Sequence, residues 1–131
     1  MTDARREGHD LRVLIADDEP DVRLLLRLGL RHHQIEVVGE AANGLEVLEQ
    51  CAADPPEAVV LDLLMPRMTG FEVIPELQRD HPEVGIVAYT ATAGDFVRHE
   101  MDRLGVPVRL KSGDITQLVE ALHRTVGRRP A

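Results

Sequence analysis

Five polar residues stand where short apolar runs end. Asp17 and Asp18 follow RVLIA (12–16), Asp62 closes within AVVLDL (58–63), Thr90 ends GIVAYT (85–90) and Lys111 ends VRLK (108–111). Lys111 is the one lysine among fifteen Lys and Arg residues. Chance is one account of that; a site needing a compact ammonium on a flexible stem, which a planar guanidinium cannot replace, is the other. Two carboxylates about 4 Å apart repel by roughly 4 kcal/mol at an effective dielectric of about 20. Either one of them stays protonated or a divalent cation joins them. Oxygen ligands with open positions suit Mg²⁺, which keeps water and phosphate oxygens. Asp62, a charge ending a buried apolar strand, is the candidate nucleophile. A cation there would draw in a phosphoryl group, whose oxygens Lys111 and Thr90 would bind. Taken alone, Asp17 and Asp18 are equally well read as turn residues before a helix, and Thr90 as a β-branched strand residue.

These residues matter together only if the fold brings them together. The four runs above and IEVVGE (35–40) read as five strands, three of them apolar almost throughout, as in strands covered on both faces. Helical spacing fills the gaps. Asp21 to His32 is predicted to bury Val22, Leu25, Leu26 and Gly29, and Asn43 to Ala53 to bury Leu45, Leu48 and Ala52. Phe71, Ile74 and Leu77 mark a third helix, with Pro75 near the end of its first turn unless the helix starts later. Asp95 to Leu104 is a weaker fourth. Asp114 to Val126 places Ile115, Leu118, Val119, Leu122 and Val126 on one face, capped by Ser112 or Asp114. Strands alternating with helices predict an α/β fold, a (βα)5 doubly wound five-stranded parallel sheet. In such a sheet functional groups gather beyond the carboxyl ends of the strands, at the switch in strand order. All five polar residues lie at that end.

Composition narrows the classes. A chain of 131 residues fits one domain, expected over 11–126, with residues 1–10 and 127–131 as frayed ends. With 44% hydrophobic but only 2% aromatic residues, the core must be aliphatic. A net charge of −8 argues against direct nucleic-acid binding and against a membrane surface. There is no apolar leader and no run of about 20 apolar residues, so a cytoplasmic protein is expected. Cys51 is alone and reads as a small buried filler. The six histidines show no ligand spacing and read as solvated.

VLIADDEPDVR and VVLDLLMPRMTGFEV, with Met65-Pro66 and Gly70 at matching offsets, resemble the response-regulator receiver domains of the CheY-like family. IEVVGEAANGLEVLE is most similar to receivers attached to helix-turn-helix regulators of the NarL/FixJ class. The resemblance covers nearly the whole chain and implies a flavodoxin-like strand order 2-1-3-4-5. It implies phosphorylation of Asp62 by a sensor histidine kinase, with Thr90 as switch hydroxyl and Lys111 pairing with the phosphoryl group. It further implies Mg²⁺ (or Mn²⁺ in its place) held by Asp18 and Asp62 directly, by Asp17 through water and by the Leu64 backbone carbonyl. The domain would be no enzyme beyond assisting its own phosphoryl transfer and slow autodephosphorylation. Its output would pass to an unidentified protein or an attached effector domain, or to a second copy, through the face of the fourth helix, fifth strand and fifth helix.

The chain departs from the family pattern in three places. Val108 stands where the family carries an aromatic, in a Gly105–Lys111 segment one residue shorter than usual and containing Pro107. Ser112 replaces the common proline after the lysine. Leu64 and Thr92 offer no acid or amide to position a hydrolytic water, so a long-lived phosphoryl group is expected. A phosphorylation-independent module that keeps the acidic site as a relic is the alternative function. The receiver half of a longer DNA-binding regulator is an alternative context. An aspartyl phosphatase is disfavoured, because no second acid stands two residues after Asp62.

Overall fold

The computed structural model describes residues 10–127; the expected frayed segments lie almost wholly outside that range. Ten elements alternate. The strands are β1 (Leu11–Ala16), β2 (Ile35–Ala41), β3 (Ala58–Leu61), β4 (Gly85–Thr90) and β5 (Val108–Leu110). The helices are α1 (Pro20–His32), α2 (Gly44–Ala53), α3 (Gly70–Asp80), α4 (Asp95–Leu104) and α5 (Ile115–Gly127). The sheet is wholly parallel in the order β2-β1-β3-β4-β5. This is the doubly wound topology expected from the sequence.

Period-two alternation sends the strand side chains into two aliphatic cores. Leu14, Ala16, Val59, Leu61 and Ile86 meet α2, α3 and α4 through Val47, Cys51, Leu77 and Met101. Val13, Ile15, Val60, Val87 and Tyr89 meet α1 and α5 through Leu26, Leu30, Leu118 and Leu122. Each large aliphatic side chain contributes about 1.5–3 kcal/mol on burial, so a core this continuous holds with Tyr89 as the only buried aromatic among the described residues.

The two core faces expected for the first helices are rotated. In α1 the buried ridge is Leu26 and Leu30, with Val22 packed against it, while Leu25 is 68% exposed. Leu24 to Leu30 contains five leucines, so spacing alone fits more than one face. In α2 the buried residues are Gly44, Val47 and Cys51; Leu48 packs beside them, but Leu45 and Ala52 are exposed. A tertiary contact sets this rotation: the Gly44 amide donates to the Met68 carbonyl at 3.0 Å, and any Cβ on Gly44 would collide with that oxygen. In α5 the expected face is the buried one.

Caps fix the helix starts. The Asn43 side chain accepts from the Glu46 amide at 3.0 Å, and Thr69 and Glu72 form a reciprocal capping box. Of the two candidates for α5, Asp114 caps, accepting from the Thr116 amide at 3.0 Å. The α3 helix begins at Gly70, so Pro75 sits in its second turn on the exposed side, where it leaves the Phe71 carbonyl without an amide donor from position 75. Strands β3 and β5 are shorter than their apolar runs, and Asp62 and Lys111 lie immediately past their ends. His32, His99 and His123 are exposed as expected, His33 and His81 are half-buried, and His9 lies outside the described residues.

Cys51 is fully buried, and that burial, with the charge of Glu83, pushes its thiol up to about 11. The thiol therefore stays protonated at pH 8 and is walled off. A thiol reagent should label no site in the native protein and one after denaturation; prompt native labelling would contradict this packing.

Candidate functional site

Strand register brings the polar residues to one edge. Ala16 pairs with Leu61, Leu61 with Ala88, and Thr90 with Leu110. The residues that follow, Asp17, Asp62 and Lys111, therefore emerge side by side at the carboxyl end. Asp17 and Asp62 flank the β1–β3 junction, where the strand order reverses. Backbone bonds extend the alignment one residue past the ladder: the Asp62 amide donates to the Ala16 carbonyl at 2.9 Å, and the Lys111 amide to the Thr90 carbonyl at 2.8 Å.

Asp17, Asp62 and Thr90 are buried, at 1%, 5% and 3% exposure, whereas Asp18 is exposed. Lys111 reaches between two of the acids. Its Nζ lies 2.7 Å from Asp17 Oδ2 and 3.3 Å from Asp62 Oδ2. Asp17 Oδ1 accepts from the Glu19 amide at 2.9 Å, and Asp62 Oδ1 from the Leu64 amide at 3.3 Å. Oδ2 of Asp17 has its ion-pair neighbour but no hydrogen bond of good geometry, an under-satisfied buried oxygen. One carboxylate oxygen from each of Asp17, Asp18 and Asp62 falls within 4.8 Å of the others.

The electrostatics follow from this crowding. Burial, above all, raises the Asp62 pKa, and the Asp17 charge adds to it; Lys111 and the Leu64 amide pull the other way without prevailing. Burial alone would lower Lys111, but its close ion pair with Asp17 and its charge contact and hydrogen bond with Asp62 outweigh that, so the ammonium is held more firmly than usual. Three acids against one ammonium leave a local negative excess. A small divalent cation with oxygen ligands fits that set: it would supply the missing charge and a partner for the under-satisfied Asp17 oxygen.

Of the remaining expected site residues, Leu64 lies in the loop after β3 with its side chain 67% exposed. That places an apolar group, not a second acid, two residues beyond Asp62. Tyr89 turns away from Thr90 into the α1/α5 core, and its hydroxyl donates to the Lys111 carbonyl at 3.5 Å. Val108 is half-buried. Sequence reading named Gly70 as part of the receiver-like segment but missed its packing role: an added Cβ would land 2.5 Å from the Asp62 carbonyl oxygen, so the α3 start packs directly under the acid. It missed Arg23 and Glu40 as well, which bond each other beside the Asp17 turn. An arginine one turn into the helix after an acidic pair was the available signal for them.

The family profile of the response regulator receiver domain matches residues 13–123. The chain is 32% identical to the chemotaxis protein CheY of Thermotoga maritima over 114 residues, 86% of this chain and 95% of that one. It belongs to the response-regulator receiver family. The transcriptional regulatory protein PdtaR of Mycobacterium tuberculosis is 34% identical over 119 residues, 89% of this chain. The solved receiver domain of NarL from Mycobacterium tuberculosis superposes with a TM-score of 0.86 at 26% identity, covering 93% of this chain and 100% of that one. The chain spans only 25% and 57% of the length of other curated relatives that it matches. It is thus a two-component receiver domain, with relatives among NarL-type regulators. No helix among the described residues is long and apolar enough to cross a membrane.

The receiver's acids destabilise one another, and this can be measured. Lys111→Met should cost about 3 kcal/mol in urea melts without divalent cations, because two buried carboxylates lose their counter-charge. Much of that loss should vanish in an Asp62→Asn background. Equal losses in both backgrounds would show that the ammonium does not compensate Asp62.

Proposed function

We propose that Asp62 is the phosphoacceptor of this receiver and Lys111 the residue that holds the phosphoryl group. The observation that carries the reading is the placement of Lys111 Nζ between the carboxylates of Asp17 and Asp62, at the sheet's switch point. A carboxylate oxygen of Asp62 attacks the phosphorus of a phosphohistidine on a sensor kinase. The P–N bond breaks as the acyl phosphate P–O bond forms, and the departing imidazole takes a proton from solvent.

Asp18 and Asp62 would hold Mg²⁺ (or Mn²⁺) directly, Asp17 through water and Leu64 through its backbone carbonyl. The bound cation would neutralise phosphoryl charge. The chain's own residues do the rest. Lys111 exchanges one carboxylate partner for a phosphoryl oxygen without leaving the site, and the Thr90 hydroxyl at the end of β4 donates to another. Drawing in Thr90 and Lys111 biases two pre-existing arrangements of the β4–α4 and β5–α5 connections.

The α4 helix is the element suited to respond. Among the described residues of α4 only Met101 is buried, whereas α3 buries Gly70, Val73, Ile74 and Leu77. Few buried contacts place α4 at the low-stability end of the fold. With Val108 in place of an aromatic, the signal passes through backbone and packing shifts to the face of α4, β5 and α5. An output protein, an attached effector domain or a second copy would read it there. Leu64 and Thr92, both exposed, carry no acid or amide to activate water against the acyl phosphate. The domain is thus a signalling switch that sheds its phosphoryl group slowly, and the net charge of −8 favours a protein partner over direct DNA contact.

Incubation with Mg²⁺ and acetyl phosphate should add one phosphoryl group by intact mass, absent in Asp62→Asn. No addition to the native chain would make it a phosphorylation-independent module. After removal of the donor, the label should persist for minutes or longer; loss within seconds would refute the role given to Leu64 and Thr92.

A further inference from the structure

Arg23, in the first turn of α1, directs its side-chain hydrogen bonds to Glu40 and to the Asp17 backbone carbonyl and not to the cation site's carboxylate oxygens, yet it is built into the turn that carries two of those carboxylates. Its guanidinium Nη1 donates to the backbone carbonyl of Asp17, and its Nε donates to Glu40 Oε1 at 3.0 Å. Its own backbone amide donates to the Glu19 carbonyl at 3.2 Å. One residue therefore grips both ends of the Asp17-Asp18-Glu19 turn. Its side chain is only 17% exposed.

The other end of the grip is itself anchored. Glu40 Oε2 accepts from Arg27, and the Glu40 backbone carbonyl accepts from Gln50 Nε2 at 2.8 Å. The Asp17 amide meanwhile donates to the Ala41 carbonyl at 3.0 Å. The turn is thus tied to the end of β2 through both its backbone and the Arg23 side chain.

We infer that Arg23 is a positioning residue, clamping the Asp17-Asp18 turn in the geometry that receives a divalent cation. This rests on the cation reading of the site given above. Two effects of opposite sign bear on it. As a positive charge, Arg23 repels a cation, and its removal would tighten binding. As a clamp, it holds carboxylates together against their mutual repulsion, and its removal would weaken binding. The clamp dominates, because Arg23 ties the turn by direct hydrogen bonds, whereas its charge is partly offset by Glu40, a carboxylate it shares with Arg27. The fork to Asp17 and Glu40 is also a two-acceptor geometry that an ammonium on a lysine stem does not reproduce.

The sign of the change in cation affinity decides between the two effects. Mn²⁺ is titrated into the native chain, Arg23→Ala, Arg23→Lys and Asp18→Asn, and free Mn²⁺ is followed by electron paramagnetic resonance. The native chain should bind and Asp18→Asn should bind far more weakly. Arg23→Ala should raise the Kd about tenfold, the size expected for a residue that orients metal ligands. Arg23→Lys keeps the charge but loses the fork, so it should weaken binding nearly as much; it carries the test if Arg23→Ala does not fold. The Mg²⁺ concentration giving half-maximal labelling by acetyl phosphate should shift by the same factor. Equal or tighter Mn²⁺ binding in the Arg23 variants overturns the clamp alone. Failure of the native chain to bind Mn²⁺ overturns the cation reading and the clamp with it.

Discussion

One ammonium between two buried carboxylates is the constraint around which this fold is arranged. Lys111 cannot satisfy Asp17 and Asp62 equally: it lies 2.7 Å from one and 3.3 Å from the other, and Asp18 stands unpaired nearby. Buried ion pairs are seldom a net source of stability, and a triad with surplus acid is worse. The surplus has a cost that a purely structural sheet edge would not carry. What it creates is a standing demand for positive charge, placed where three strands end. Under the proposed function a bound cation would meet that demand, and the cation and Lys111 together would then hold the added charge of the phosphoryl group.

The rest of the structure divides into parts that hold this arrangement and parts free to respond. On the holding side, α2 and α3 are packed so closely to the loop after β3 that Gly44 and Gly70 admit no side chain. The caps at Asn43 and Thr69 fix where those helices begin, and so fix the loop carrying Asp62 and Leu64. On the responding side, β5 has three residues, all half-buried, and α4 is exposed along most of its length. If Asp62 gains a phosphoryl group as proposed, β1, β3 and the fully buried β4 would resist displacement, and α4 and β5 would be the elements to yield.

Strand positions and the convergence of the acids were legible because both depend on local pattern. Apolar runs announce buried parallel strands, and their carboxyl ends are fixed by where the runs stop. The α1 and α2 faces were not legible. Five leucines between Leu24 and Leu30 satisfy several rotations, and the α2 rotation is set by Met68, more than twenty residues from Gly44. The Arg23–Glu40 bond joins residues seventeen apart whose meeting depends on β2 docking beside β1. Contacts of that kind leave no periodic trace in the chain. Val108, by contrast, was visible as a departure in sequence, yet its consequence is a property of the β5 edge and of α4 packing.

The solitary lysine and the neighbouring arginine illustrate how acceptor geometry selects the cation. At Arg23 two acceptors, the Asp17 carbonyl and the Glu40 carboxylate, are met by different nitrogens of one planar fork. At Lys111 two carboxylate oxygens from different strands converge on a single nitrogen. A fork placed there would present several donors across a plane to two oxygens that converge on one nitrogen, and under the proposed function its width would stand where a phosphoryl oxygen would enter. Under that same function a flexible stem would also let the ammonium shift from carboxylate to phosphoryl oxygen by small rotations. Chance remains sufficient to explain why no second lysine occurs among fifteen Lys and Arg residues. The convergence of two carboxylate oxygens from different strands on one nitrogen is the physical reason for a lysine at position 111.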